Sequence, residues 1–132
     1  MMLPQIQPAL DHHLDHALLE KLRRLMAPEA FMELLEAFLT RARIHLSNAE
    51  RCLVDSDLEK LKFTIHTLKG SSANVGVAGL SHLCADLEKQ IKQGNDMESV
   101  SQRLREICAE FEVSRQLLSQ LVQTIQKSGK AG

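Results

Sequence analysis

The chain has 132 residues, enough for one domain with a sizeable core but not for two independent ones. Hydrophobic residues make up 44% and charged residues 25%, the balance of an ordinary globular domain rather than a disordered chain. A net charge of -1 excludes a general nucleic-acid binder, which needs a basic excess to neutralise phosphates.

The elements read in chain order are all helical. Residues 1–13 are expected to be a flexible N-terminus, because Pro4 and Pro8 interrupt them and no periodic apolar pattern has started. Leu14, Leu18, Leu22 and Leu25 recur at helical spacing and predict a short first helix, which Met26-Ala27-Pro28 ends. Pro28 suits the first turn of a second helix, with Glu29 at the positive end of its dipole. Phe31, Leu34, Leu35, Phe38, Ala42, Ala49 and Leu53 form its apolar side, and it ends near Asp55-Ser56-Asp57, where Ser56 or Asp57 can cap the next helix. The third helix is the most regular: Leu58, Leu61, Ile65, Leu68, Ser72 and Val75 alternate three and four apart. A fourth helix runs from about Gly79 to Gln93, with Leu80, Leu83, Cys84, Leu87 and Ile91 inward, and Gly94-Asn95 stops it. The last helix starts near Asp96 and carries Val100, Leu104, Ile107, Phe111, Leu118, Leu121 and Ile125. Residues 127–132, Lys-Ser-Gly-Lys-Ala-Gly, are expected to be a flexible tail. Short connections make sequential helices antiparallel neighbours. The expected architecture is all-α: an antiparallel four-helix bundle over residues 14–126 with an additional short N-terminal helix.

A bundle hosts many functions, so function must come from a site. At about 100° per residue, His66 lies roughly 130° from the mean direction of the third helix's apolar seam and is expected to be exposed. Lys62, Phe63, Lys69, Gly70 and Ala73 fall near it at i−4, i−3, i+3, i+4 and i+7. The patch is expected to hold one imidazole, two ammonium groups, an exposed phenyl ring and no carboxylate except Glu59. Gly70 inside a helix costs about 1 kcal/mol relative to alanine, and Gly70-Ser71-Ser72-Ala73 leaves open space beside the ring, as close approach of another protein requires. A neutral imidazole is a competent nucleophile near pH 7, and an anion attached to it would be stabilised by Lys69 and Lys62.

The stretch His66-Thr67-Leu68-Lys69-Gly70-Ser71-Ser72-Ala73-Asn74-Val75-Gly76 resembles the signature of histidine-containing phosphotransfer (HPt) domains, His-x-Leu-Lys-Gly followed by small pairs and a second glycine. Leu80, Leu83, Cys84, Leu87 and Glu88 are similar to the family's next helix. The resemblance covers roughly residues 14–125. It implies that His66 accepts a phosphoryl group through Nε2 from an aspartyl phosphate on a response-regulator receiver domain and passes it to a second receiver. It implies further that Lys69 binds the phosphoryl oxygens, that Gly70 makes room for the receiver, and that Lys62, Phe63 and Ala73 help it dock. The expected partners are receiver domains and hybrid sensor histidine kinases, with magnesium on the receiver and no cofactor or metal on this chain. Some members carry a glutamine 22 residues after the histidine; that count lands here on Glu88, a carboxylate that would repel a phosphoryl group, and no phosphate-binding role is assigned to it.

The chain has no P-loop and no kinase glycine loop, so it is read as a carrier without ATP binding or autokinase activity. A di-iron bundle needs Glu-x-x-His pairs, and none of the six histidines has glutamate three residues before it. His12 and His16, one turn apart beside His13, lack a third ligand for a metal. A histidine-kinase dimerisation hairpin would have two helices rather than five, which favours a monomer. A non-catalytic helical adaptor, binding partners through the face around His66, is the remaining alternative. No apolar run approaches the roughly 20 residues that span a bilayer, and no secretory signal precedes the first helix. Cys52, Cys84 and Cys108 are odd in number without CxxC spacing, which fits a reducing cytoplasm; they are expected inside the fold, with no catalytic thiol. The initiating methionine and full set of helices favour a free-standing relay protein.

Overall fold

The computed structural model describes residues 12–131. Five helices follow one another: α1 (His16–Leu25), α2 (Pro28–Val54), α3 (Leu58–Asn74), α4 (Ala78–Lys92) and α5 (Met97–Ala131). No strand occurs among the described residues. Helices α2 to α5 form the bundle, each packed on the next, with α5 also against α2; connections of a few residues make the neighbours antiparallel.

The helix ends follow from local chemistry. Pro28 opens α2, where its missing N–H has no intrahelical acceptor to lose. The Asp15, Asp57 and Asp96 carboxylates accept hydrogen bonds from the backbone N–H of Leu18, Lys60 and Ser99. Ser56, the other candidate cap, instead takes a left-handed turn with φ 54°. Gly94 (φ 77°) turns the chain out of α4.

The core is built from the periodic seams. Phe31, Leu35, Leu61, Ile65, Leu68, Leu80, Leu87, Ile107 and Leu118 are among its fully buried side chains. Leu46, four residues after Ala42, and Cys52, three after Ala49, belong to the α2 seam as well. Cys84 is buried, and burial pushes its thiol up to about 12, with Lys69 opposing the shift and Glu88 adding to it. Cys52 is also buried, while Cys108 is only partly covered.

Helix α1 lies across the end of the bundle at the α3–α4 turn. The Asp15 N–H donates to the Gly76 carbonyl at 2.8 Å, and Leu14 and Leu19 enter the core. Gly76 has φ 82°, and a Cβ there would come within 2.9 Å of Leu19 Cγ and 3.3 Å of the Asp15 carbonyl oxygen. Only glycine permits both the turn and the close approach of α1.

Two boundaries differ from the sequence reading. His12 and His13 are already helical, and His13 Nδ1 donates to Glu110 Oε2 at 2.5 Å, so the chain is fastened to α5 before residue 14. Helix α5 continues to Ala131, so residue 126 is not a helix end: no proline interrupts the backbone ladder, and propagating a helix is easier than starting one. Residues 1–11 and 132, the rest of the two expected flexible ends, lie outside the described residues. No helix among the described residues is long and apolar enough to cross a membrane.

Candidate functional site

The inward seam of α3 (Leu61, Ile65, Leu68, Ser72) turns His66 to the surface, where its side chain is 61% exposed. Phe63, one turn earlier, is 70% exposed, and Gly70 and Ala73, one and two turns later, are exposed too. A methyl group built on Gly70 would meet nothing within 4 Å, so the space beside the ring is open. The expected cluster of His66, Phe63, Gly70 and Ala73 therefore lies on one face. Lys62 sits at its edge, with Nζ 3.7 Å from Glu59 Oε2.

The neighbouring helix completes the site. Ser72 is fully buried, with its hydroxyl donating to the Leu68 carbonyl at 2.7 Å, and Ser81 of α4 donates to the Lys69 carbonyl at 3.0 Å. These small side chains let α4 lie close against the back of the site. One turn after Cys84, α4 presents Glu88, whose side chain is only 10% exposed. Glu88 Oε2 lies 3.0 Å from His66 Nδ1, and Oε1 accepts a hydrogen bond from Lys69 Nζ at 2.7 Å. Lys92 Nζ stands 3.6 Å from Oε2.

One expectation is corrected here. The patch holds a second carboxylate besides Glu59, supplied by α4 and invisible in the α3 pattern alone. The Lys69 ammonium, expected to serve an anion carried by the ring, donates to Glu88 in the absence of that anion. Glu88 had been set aside as repulsive to a phosphoryl group, yet it faces Nδ1, the ring nitrogen away from the outward edge. The spacing of 22 residues did point to it; what the sequence lacked was the side of the ring that it meets.

The electrostatics favour one arrangement of the protons. The Lys69 hydrogen bond, with a smaller contribution from His66, holds the Glu88 carboxyl below its ordinary value, while burial opposes them. An ionised carboxylate only accepts hydrogen bonds, so the bond at 3.0 Å requires the proton on Nδ1. In the neutral ring the lone pair is then on Nε2, which has no hydrogen-bond partner among the described residues. The arrangement presents a ring nitrogen with a lone pair and an open approach. Positive charge developing on the ring would be stabilised by Glu88 without any transfer of the Nδ1 proton. Among the described residues no group of three or more His, Cys, Asp or Glu is placed to hold a metal ion, and His13 of the N-terminal histidine group is engaged with Glu110.

A family model described as Hpt domain matches residues 33–127, which include the whole of this site. The chain belongs to the Hpt domain family. That membership carries a role in phosphorelay histidine phosphotransfer. The Hpt chain is 35% identical over 86 residues to the sensor protein TorS of Escherichia coli (strain K12), a match over 65% of this chain and 9% of that protein's length. Its fold is similar to the solved histidine-containing phosphotransfer protein B (HptB) of Pseudomonas aeruginosa PAO1, with a TM-score of 0.79, 28% identity, and coverage of 85% of this chain and 96% of that one. Histidine-containing phosphotransfer protein MtHPt2 of Medicago truncatula matches in fold with a TM-score of 0.79 at 23% identity, over 92% of this chain and 84% of that one.

Proposed function

We propose that the protein is a phosphorelay intermediate that accepts a phosphoryl group on Nε2 of His66 from the aspartyl phosphate of a receiver domain and delivers it to another receiver. The observation that carries this reading is the pairing of a buried, ionised Glu88 with Nδ1, which leaves an exposed Nε2 lone pair beside the open space at Gly70. Nε2 attacks phosphorus in line with the aspartyl oxygen. The N–P bond forms as the P–O bond breaks, and its electron pair leaves with the receiver's carboxylate. Nε2 has no proton to lose; the ring becomes cationic, and Glu88 stabilises it through the proton retained on Nδ1. Delivery to the next receiver is the same path reversed.

Lys69 then has a phosphoryl dianion within a helical turn, and its ammonium turns from Glu88 to the phosphoryl oxygens. Phosphoryl transfer depends mainly on positioning and charge neutralisation, so the carrier need only present its ring. Magnesium comes with the receiver's acidic pocket, and this chain binds neither ATP nor metal. Lys62 attracts the acidic rim of that pocket, and Phe63, Gly70 and Ala73 form the apolar contact. The chain acts as a cytoplasmic monomer, with receiver domains and hybrid sensor histidine kinases as partners.

The test is to mix the protein with a phosphorylated receiver and magnesium and follow it by intact mass and phosphate-retaining gel. One acid-labile phosphoryl group is expected on the parent and none on His66→Gln. Labelling that survives His66→Gln would overturn the assignment. No labelling from any of a panel of receivers and small phosphodonors would leave a helical adaptor instead.

A further inference from the structure

Three basic or hydrogen-bonding groups converge on the Glu88 carboxylate, and they are not equivalent. Lys69 holds Oε1 at 2.7 Å and His66 meets Oε2 at 3.0 Å, both as direct hydrogen bonds. Lys92 stands 3.6 Å from Oε2, beyond hydrogen-bond length, and its side chain is 61% exposed. Lys92 lies one turn after Glu88 on α4, the favourable order for a glutamate–lysine pair. The proposed function uses the first two groups and leaves the third without a role.

We propose that Lys92 is a reserve counter-ion that takes over the Glu88 carboxylate when Lys69 turns to the phosphoryl group on His66. The inference rests on the phosphotransfer reading above. If Lys69 leaves Oε1, a nearly buried carboxylate loses its direct cation just as about two negative charges arrive on the adjacent ring. Holding Lys69 back would instead deny the phosphoryl group its nearest ammonium. A second ammonium already near Oε2 removes the conflict, because a rotation of the long Lys92 side chain brings it into hydrogen-bond contact. Glu88 then keeps one lysine in each state: Lys69 before phosphorylation and Lys92 after it. Lys92 is a positioning residue, since it acts through Glu88 and touches neither the ring nor the phosphoryl group.

The experiment measures the equilibrium distribution of phosphoryl groups between a receiver and the parent, Lys92→Gln, Lys92→Arg, Lys69→Gln and the double variant Lys69→Gln/Lys92→Gln. Replacing Lys92 with glutamine is expected to shift the equilibrium toward the receiver by about 3- to 10-fold, the range for a partly exposed charge-assisted contact. Lys92→Arg is expected to restore most of the parent value. In the Lys69→Gln background Lys92 sits on Glu88 in both states, so the further substitution should move the equilibrium less than about 2-fold. A parent-like equilibrium in Lys92→Gln overturns the exchange. So does an undiminished shift in the Lys69→Gln background, which would mean that Lys92 acts as a distant positive charge on the phosphoryl group. Failure of the parent to carry phosphate on His66 would overturn the phosphotransfer reading itself, and is recognised separately because it precedes any comparison of lysine variants.

Discussion

Replacing Gly70 with alanine should make this protein more stable and a worse phosphotransfer partner. Gly70 lies within α3 and does not have positive φ, so alanine can adopt its backbone conformation. The added methyl would meet nothing within 4 Å, so it creates no clash in the free protein. Glycine in an exposed helix interior is about 1 kcal/mol less favourable than alanine. At roughly 2.1 cal/mol/K per residue, the 132-residue chain has a melting entropy of about 0.28 kcal/mol/K. The gain therefore corresponds to a rise of about 3–4 °C in Tm, measurable by thermal circular dichroism. In the proposed docking, the same methyl occupies space that the incoming receiver needs one turn from Nε2. Misplacement by about 1 Å can cost roughly 100-fold in a reaction that depends on positioning, and rapid-quench phosphotransfer from a labelled receiver would detect a tenth of that. A destabilised Gly70→Ala variant would show that the glycine serves the fold. A stabilised variant with unchanged transfer rates would remove the open space beside His66 from the account.

Further consequences follow from other residues. Because the folded state holds the Glu88 carboxyl below its ordinary value, the associated stability is present above about pH 4.5 and is lost as pH falls through the folded value. Glu88→Gln should therefore be less stable than the parent by about 1 kcal/mol at pH 7 in urea unfolding, with the difference shrinking toward pH 3; a pH-independent difference would refute the ion-pair basis. Gly76→Ala should cost about 1–3 kcal/mol, since it forces a side chain into left-handed backbone and against Leu19; parent-like urea unfolding would count against that turn. At pH 8 a thiol pushed up to about 12 is roughly 0.01% thiolate, so Cys84 should resist thiol reagents until the protein unfolds, while partly covered Cys108 reacts first. Mass-mapped labelling of Cys84 before Cys108 in the native protein would contradict the packing.

The helices were legible in the sequence because the signals that set them are local. Pro28, Asp57 and Gly94 mark ends, and the Leu61, Ile65, Leu68 series fixes which way α3 faces, which in turn exposes His66. Leu46 and Cys52 continue the same alternation of three and four along the 27 residues of α2. The contacts that complete the site were not local. The His66–Glu88 bond spans 22 residues and depends on how closely α4 can approach α3, which Ser72 and Ser81 permit. The family spacing of 22 residues placed the Glu88 carboxylate near the histidine and implied repulsion; only the geometry distinguishes the Nδ1 edge from the outward edge. The His13–Glu110 bond, between residues 97 apart, had no sequence signal at all.

The central claim is that Glu88 holds the proton on Nδ1 of His66 so that Nε2 takes the phosphoryl group. Long-range proton–nitrogen NMR correlation of the His66 ring, recorded before and after phosphorylation by a receiver, tests both halves at once. Before transfer the ring is expected to carry a proton on Nδ1, and afterwards a phosphorus-coupled Nε2 with Nδ1 still protonated. An unphosphorylated ring with its proton on Nε2 and none on Nδ1, or phosphorus attached to Nδ1, would contradict it.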